Sequence, residues 1–183
     1  QAKRIDKVVM ITSGFAETGP DGKALERRLV EAARDAGIHI LGPNTMGICN
    51  PHIDFFCTGA PVRPMAGSTA VVAQSGNMGT QLLAFAEQQG IGIRAFSGSG
   101  NEAMITIEDY MEGFEVDELT RTVMLYVESV KQGRRFFESA RRVSRKKPIV
   151  LLKGGRTQDG SRAAASHTGA MASDIRLFDA ACD

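Results

Sequence analysis

The chain has 183 residues, 43% of them hydrophobic and 23% charged, with a formal net charge of +1. That length holds one full α/β domain and part of a second. The near-neutral balance excludes a bulk field that would draw nucleic acid or an anionic membrane, so any anion must be held locally. No apolar run has bilayer-spanning length, and Gln1-Ala2-Lys3-Arg4 at the amino terminus has no apolar stretch of the signal-peptide kind. The three cysteines, Cys49, Cys57 and Cys182, form no close metal-ligand pair. Their odd number and scattered positions fit reduced thiols. The expectation is a cytoplasmic protein with no metal site in this chain. The first residue is not Met and the last segment stops inside a helical pattern, so both ends read as cuts and the chain as a piece of a larger polypeptide.

An apolar run over 8–12 opens the chain, followed by a turn-rich stretch over 13–22. Leu25, Leu29, Ala32, Ala33 and Ala36 then fall at helical spacing, predicting a helix over 23–36 with Gly37 as its C-cap. A short strand over 38–41 is broken by Gly42-Pro43. This strand–helix–strand unit, assigned to 1–50, reads as the closing part of a Rossmann-like parallel α/β domain. The stretch from Asn44 to about Gly67, with Pro51, Pro61 and Pro64 and little periodicity, reads as a connection between two domains, its linker proper at 51–67. His39 is assigned to strand packing and His52 to the linker.

From residue 68 the pattern becomes regular. Strands are predicted over 69–74, 91–97, 122–128 and 148–153, and helices over 78–89, 105–113, 134–145 and 170–181. The alternation predicts a parallel sheet with helices on both faces and flavodoxin-like order, occupying 68–183. Such sheets bind ligands beyond the carboxyl ends of their strands.

Four groups of residues would meet at that edge. The first strand ends in Gln74-Ser75-Gly76-Asn77 and opens directly into a helix. The free N–H groups of a helix start, with the helix dipole, make a phosphate site of Ser75, Gly76 and Asn77. Taken alone, the same residues read more simply as a plain N-cap. The second strand ends in Gly98-Ser99-Gly100-Asn101, whose N–H groups could meet a phosphate or carbonyl oxygen. The third ends in Glu128, either an acid that orients an imidazole or a solvated partner of Arg134. Beyond the fourth, after Lys153-Gly154-Gly155-Arg156, lies His167, in a loop of small and hydroxyl residues. An imidazole there is a candidate nucleophile, or an ordinary surface histidine. The basic group Arg141, Arg142, Arg145, Lys146 and Lys147 reads as a solvated helix end rather than a nucleic-acid patch. A nucleophilic imidazole, an orienting carboxylate and a helix start together are the parts of a phosphohistidine site.

In this order the residues resemble the NDP-forming acyl-CoA synthetases, the superfamily of succinyl-CoA synthetase and ADP-forming acetyl-CoA synthetase. The similarity runs through Ile11-Thr12-Ser13-Gly14-Phe15, Gly42-Pro43-Asn44, Gln74-Ser75-Gly76, Ser99-Gly100-Asn101-Glu102, Leu125-Tyr126-Val127-Glu128-Ser129, Lys153-Gly154-Gly155-Arg156 and Ala165-Ser166-His167-Thr168-Gly169. The resemblance implies that His167 is the phosphorylated histidine, that Glu128 hydrogen-bonds it, and that Ser75 and Gly76 hold the phosphoryl group. It places Ser13, Gly14, Pro43 and Asn44 near the acyl or CoA site, with Gly100 and Asn101 as further candidates. It implies the reaction acyl-CoA + phosphate + NDP ⇌ acid + CoA + NTP, with coenzyme A and ATP or ADP as substrates. An ATP-grasp domain or subunit would bring nucleotide and Mg²⁺, and the full-length protein is expected to be an oligomer. The glycine-rich CoA-contacting portion and the ATP-grasp domain of the family have no counterpart in this sequence. The chain by itself is therefore expected not to complete the reaction. The 165–169 loop resembles the acetyl- and general acyl-CoA branch. Two other readings are an acyl-CoA-sensing module of a protein acetyltransferase fusion and a dinucleotide or flavin binder. The presence of both His167 and Glu128 argues against the first, and the lack of a full Gly-x-Gly-x-x-Gly fingerprint against the second.

Overall fold

The computed structural model describes residues 5–155, so His167 and the helix expected over 170–181 lie outside the described residues. Two sheets are present among the described residues. In the small one, β1 (Lys7–Val9) and β2 (His39–Leu41) pair in parallel, connected by a 3-10 turn (Ala16–Thr18) and helix α1 (Pro20–Asp35). Pro20 at the first turn of α1 suits a position whose N–H has no helical acceptor. His39 lies in β2 but is exposed.

The large sheet has six strands: β3 (Gly47–Asn50), β4 (Phe55–Thr58), β5 (Ala66–Ala73), β6 (Ile93–Gly98), β7 (Thr122–Val127) and β8 (Ile149–Lys153). Their order is β4-β3-β6-β5-β7-β8. β5, β6, β7 and β8 are all parallel, as expected, and β6-β5-β7-β8 is the flavodoxin arrangement in which the chain winds first to one side of β5 and then to the other.

One expectation fails. The stretch after Asn44, read as a connection, contributes β3 and β4, which pair antiparallel with each other, and β3 pairs antiparallel with β6. Each strand has only four residues, and the bend between them is a 3-10 turn (Pro51–Ile53) closed by Asp54 in the left-handed region. Two alternations of side chain are too few to stand out between prolines, so the pairing is a tertiary outcome. His52 fastens this hairpin to the start of β5, its Nε2 lying 2.8 Å from Gly67 O.

Helices cover both faces. On one, α2 (Gly76–Gln88) lays Leu83 and Ala86 over Val71, Ala73, Ile93 and Phe96. On the other, α3 (Ile107–Val116) and α4 (Gly133–Ser144) bury Ile107, Met111, Phe136 and Val143 against Val72, Val123, Leu125 and Val127. β5 is apolar on both sides because both faces are covered there, whereas β7 alternates. α3 and α4 are clamped by Arg135 to Asp109 and Glu112 and by Arg142 to Glu115. The basic end of α4 is solvent-exposed as expected at Arg141, Arg142, Arg145 and Lys146, and it is also anchored: Lys146 pairs with Glu115, and Lys147 donates to the carbonyls of Phe114 and Asp117 at the C-terminal end of α3.

The two sheets meet through loops. Asn44 N–H donates to Thr12 O at 3.0 Å, Asn101 N–H to Pro43 O at 2.9 Å and Ala103 N–H to Gly42 O at 3.0 Å. Gly100, at φ +63°, lies so close that a Cβ would stand 2.3 Å from Pro43 O, so both its conformation and the approach require glycine.

Candidate functional site

Parallel pairing sends the carboxyl ends of β5, β6 and β7 to one edge, and there they line a cleft of about 500 Å³. Of the residues singled out from the sequence, Asn44, Ser75, Gly76, Asn77, Gly100, Asn101 and Glu128 line it together. Ser13, Gly14 and Pro43 do not. Gly14 lies one step behind, its N–H bonded to Glu17 Oε1, while Glu17 Oε2 accepts from the Asn101 amide. Burial pushes the Glu17 carboxyl up, but hydrogen bonds from Asn101, Gly14 and Phe15 outweigh it and hold the group below its ordinary value.

Ser75 is the N-cap of α2, its Oγ accepting Met78 N–H at 3.4 Å. The two readings of this turn are compatible. The hydroxyl satisfies one first-turn donor, while helix geometry leaves Gly76 N–H and Asn77 N–H without an intrahelical acceptor beside the cleft. Lys23 and Arg27 of α1 and Lys131 after β7 add positive charge to the same walls.

Glu128 is 9% exposed at the end of β7. The Tyr126 hydroxyl donates to its carboxylate. Burial, and then the charge of Glu128 and this bond, raise the Tyr126 phenol and keep it protonated as the donor. Lys153, buried at the end of β8, reaches across to donate to Glu128 O and Gly154 O, each at 2.6 Å. Gly154 lies against both side chains; a Cβ there would stand 2.7 Å from the Tyr126 hydroxyl and 3.4 Å from Glu128 Cγ. The chain leading to His167 thus leaves β8 directly beside Glu128.

The sequence reading assigned no role to Gln74, which joins these parts. Its Oε1 accepts Glu128 N–H at 2.6 Å and Ser129 N–H at 2.9 Å; its Nε2 donates to Ser129 O at 2.8 Å and Glu102 Oε1 at 3.0 Å. All four hydrogen-bonding positions of the carboxamide are used, which fixes its orientation. Glu102 was likewise unassigned. It is 2% exposed, and burial raises its carboxyl to about 7 against the hydrogen bonds from Ser99 and Gln74. The available signal was positional, since Gln74 directly precedes the helix start and Glu102 directly follows Asn101.

Among the described residues no group of three or more His, Cys, Asp or Glu side chains could hold a metal ion, and no helix is long and apolar enough to cross a membrane.

A mostly parallel sheet of flavodoxin-like order, with a helix start and a buried acid facing one cleft at its carboxyl edge, defines a flavodoxin-like α/β domain. The chain belongs to the succinyl-CoA ligase-like flavodoxin domain family, whose profile matches residues 66–183. It is 42% identical over 179 residues to the alpha subunit of ADP-forming acetate–CoA ligase I of Pyrococcus furiosus, covering 98% of this chain and 39% of that one. It is 32% identical over 182 residues to the ADP-forming 4-hydroxybutyrate–CoA ligase of Nitrosopumilus maritimus, covering 97% of this chain and 26% of that one. Among solved structures it resembles the dinucleotide-forming acetyl-coenzyme A synthetase 1 of Ca. Korarchaeum cryptofilum in complex with phosphate and ADP. There the TM-score is 0.91 and the identity 37%, over 97% of this chain and 38% of that chain. The chain therefore spans about two-fifths or less of these relatives.

Proposed function

We propose that this chain is the phosphoryl-carrying part of an NDP-forming acid–CoA ligase. The observation that carries the reading is that the start of α2 and Glu128 face one cleft and are tied together through Gln74. The similarity to ADP-forming acid–CoA ligases supports it. The expected site residues take the following roles. Phosphate oxygens sit on Gly76 N–H and Asn77 N–H beside the Ser75 cap, where the helix dipole favours negative charge. Glu128, oriented by Tyr126, accepts one imidazole N–H of His167 and leaves the other nitrogen free to attack. Asn44, Gly100 and Asn101 face the acyl group and the thiol end of coenzyme A, with Ser13, Gly14 and Pro43 shaping the loops behind them.

The reaction runs in three displacements. A phosphate oxygen attacks the acyl carbon of acyl-CoA; the C–O bond forms, the C–S bond breaks, and CoA leaves as thiol. The free nitrogen of His167 attacks the phosphorus of the acyl phosphate, and the acid leaves as carboxylate. A terminal oxygen of NDP then takes the phosphoryl group from the phosphohistidine, giving NTP and restoring the imidazole. Positioning and charge stabilisation are the protein's main contributions to such transfers. We assign nucleotide and Mg²⁺ to an ATP-grasp partner, the part of the expected 1–50 unit that precedes β3 to the closing part of a CoA-binding domain, and the six-stranded sheet to the ligase domain. We place the assembly in the cytoplasm as an oligomer.

The test uses the complete protein with its ATP-grasp domain and γ-labelled ATP. The chain should acquire an acid-labile, base-stable phosphate that His167→Ala abolishes. Undiminished labelling of that variant would exclude His167 as carrier.

A further inference from the structure

Glu102 stands under the cleft and takes no part in the steps above. Its Oε1 accepts two donors, Ser99 Oγ at 2.7 Å and Gln74 Nε2 at 3.0 Å, whereas its Oε2 is buried with no partner among the described residues. Ionised, the group would leave a charged oxygen in the interior with no donor, an arrangement the low dielectric strongly disfavours. Protonated on Oε2, it keeps both bonds at Oε1 and carries no charge.

The groups packed around it act in both directions. Lys131, in the loop after β7, favours ionisation; its ammonium lies 2.8 Å from Glu102 O and 2.6 Å from Asn101 O. Glu108 on α3, itself buried with an oxygen lacking a partner, opposes ionisation. Tyr110, also on α3, is occupied with Ser97 Oγ at 2.6 Å. Burial prevails, and the carboxyl titrates at about 7.

We propose that Glu102 is a positioning residue of this phosphoryl-transfer site. As a neutral carboxylic acid it holds Gln74, and through it the main chain of Glu128 and Ser129, while keeping negative charge off the floor of the phosphate cradle. The inference rests on the reading of the cleft as a phosphoryl site. Gln74 directly precedes the helix start, so a charge appearing on Glu102 would be felt by a phosphoryl anion at Gly76 and Asn77. The group is neutral below about pH 7 and ionised above it, and phosphoryl transfer therefore weakens as pH rises through that value.

Glu102→Gln tests this in the complete protein. Its amide oxygen can accept from Ser99 and Gln74, its NH₂ stands where the proton was, and it stays neutral at every pH. Between pH 7 and pH 8.5 the wild-type rate of His167 labelling should fall on the order of tenfold, following the fraction of a group that titrates near 7. Glu102→Gln should keep the low-pH rate, apart from the titration of the nucleotide's terminal phosphate that both proteins share. Equal pH profiles for the two proteins would overturn the inference and leave the ligase reading standing. An infrared difference spectrum supplies an arm that needs no turnover. A protonated buried carboxyl band present in the wild type at pH 6 and missing from Glu102→Gln supports the inference, and its absence from the wild type overturns it. Failure of the wild type to label at any pH would count against the ligase reading instead.

Discussion

The side chain of Gln74 holds the main chain of Glu128: its Oε1 accepts the Glu128 N–H at 2.6 Å, across the boundary between β5 and β7. One residue before the cap of α2 thereby sets the position of the acid at the end of β7. The N-terminal end of a helix and a carboxylate 54 residues away in the chain become one unit through a single carboxamide.

Gln74→Ala should loosen that unit. Glu128 N–H and Ser129 N–H lose their acceptor in a part-buried setting. A loss of about 1–3 kcal/mol is expected from urea unfolding. His167 labelling in the complete protein should slow about tenfold or more, because misplacement of an orienting group costs rate directly.

Gly154→Ala should act through Tyr126. The new Cβ would meet the Tyr126 hydroxyl at 2.7 Å, so the ring must shift and release Glu128. The expected cost is about 1.5–3 kcal/mol, that of one hydrogen bond to a charged group. In a Tyr126→Phe background that bond is already missing, so the added cost of Gly154→Ala should shrink. Thermal melts of the two single variants and the double variant form the cycle, and strict additivity would sink this account.

Ser75→Ala removes the cap of α2, whose Oγ accepts Met78 N–H. Stability should fall by about 1 kcal/mol. Phosphate affinity of the complete protein should fall only modestly, because Gly76 N–H and Asn77 N–H remain in place. Calorimetric titration with inorganic phosphate reads this directly; complete loss of binding would mean that the hydroxyl itself is the principal donor.

Acid sensitivity should arise partly at Asp117, well away from the cleft. Burial raises its carboxyl, but the hydrogen bonds from Arg94 and Thr120 and the guanidinium charge outweigh burial and hold it below the ordinary value. A depressed folded-state value means stability that is fully present above the unfolded value of about 4 and lost as pH falls through the folded one. Asp117→Asn should therefore be less stable than the wild type at pH 6, with the gap narrowing as pH drops to about 3. Urea midpoints across that range check the sign.

Parts of this architecture were legible because they are local. The runs ending at Gln74, Ser97 and Glu128 show apolar residues bounded by turn residues, and the cap at Ser75 is a one-residue signal. β3 and β4 were illegible for the opposite reason. Gly47-Ile48-Cys49-Asn50 and Phe55-Phe56-Cys57-Thr58 offer two alternations each, and they become strands by pairing with each other and with Phe96 and Ser97 of β6. The basic run at the end of α4 shows the same limit. Its charges were plain, but its anchorage on the end of α3 depends on a contact some 30 residues away in sequence.

The amino-acid sequence by itself determined the alternation of strands and helices from residue 68 to the end of β8, the winding order of the parallel strands, and several of the described residues that gather at their carboxyl edge. Periodicity and turn chemistry act over a few residues, and parallel connection then sends every strand end the same way. Only the tertiary structure decided that Gln74 links Glu128 to Glu102, that Tyr126 orients Glu128, and that Glu102 is buried with one oxygen unpaired. Those properties come from which side chains meet across neighbouring strands and how far water is excluded there, and neither is written in any short stretch of chain.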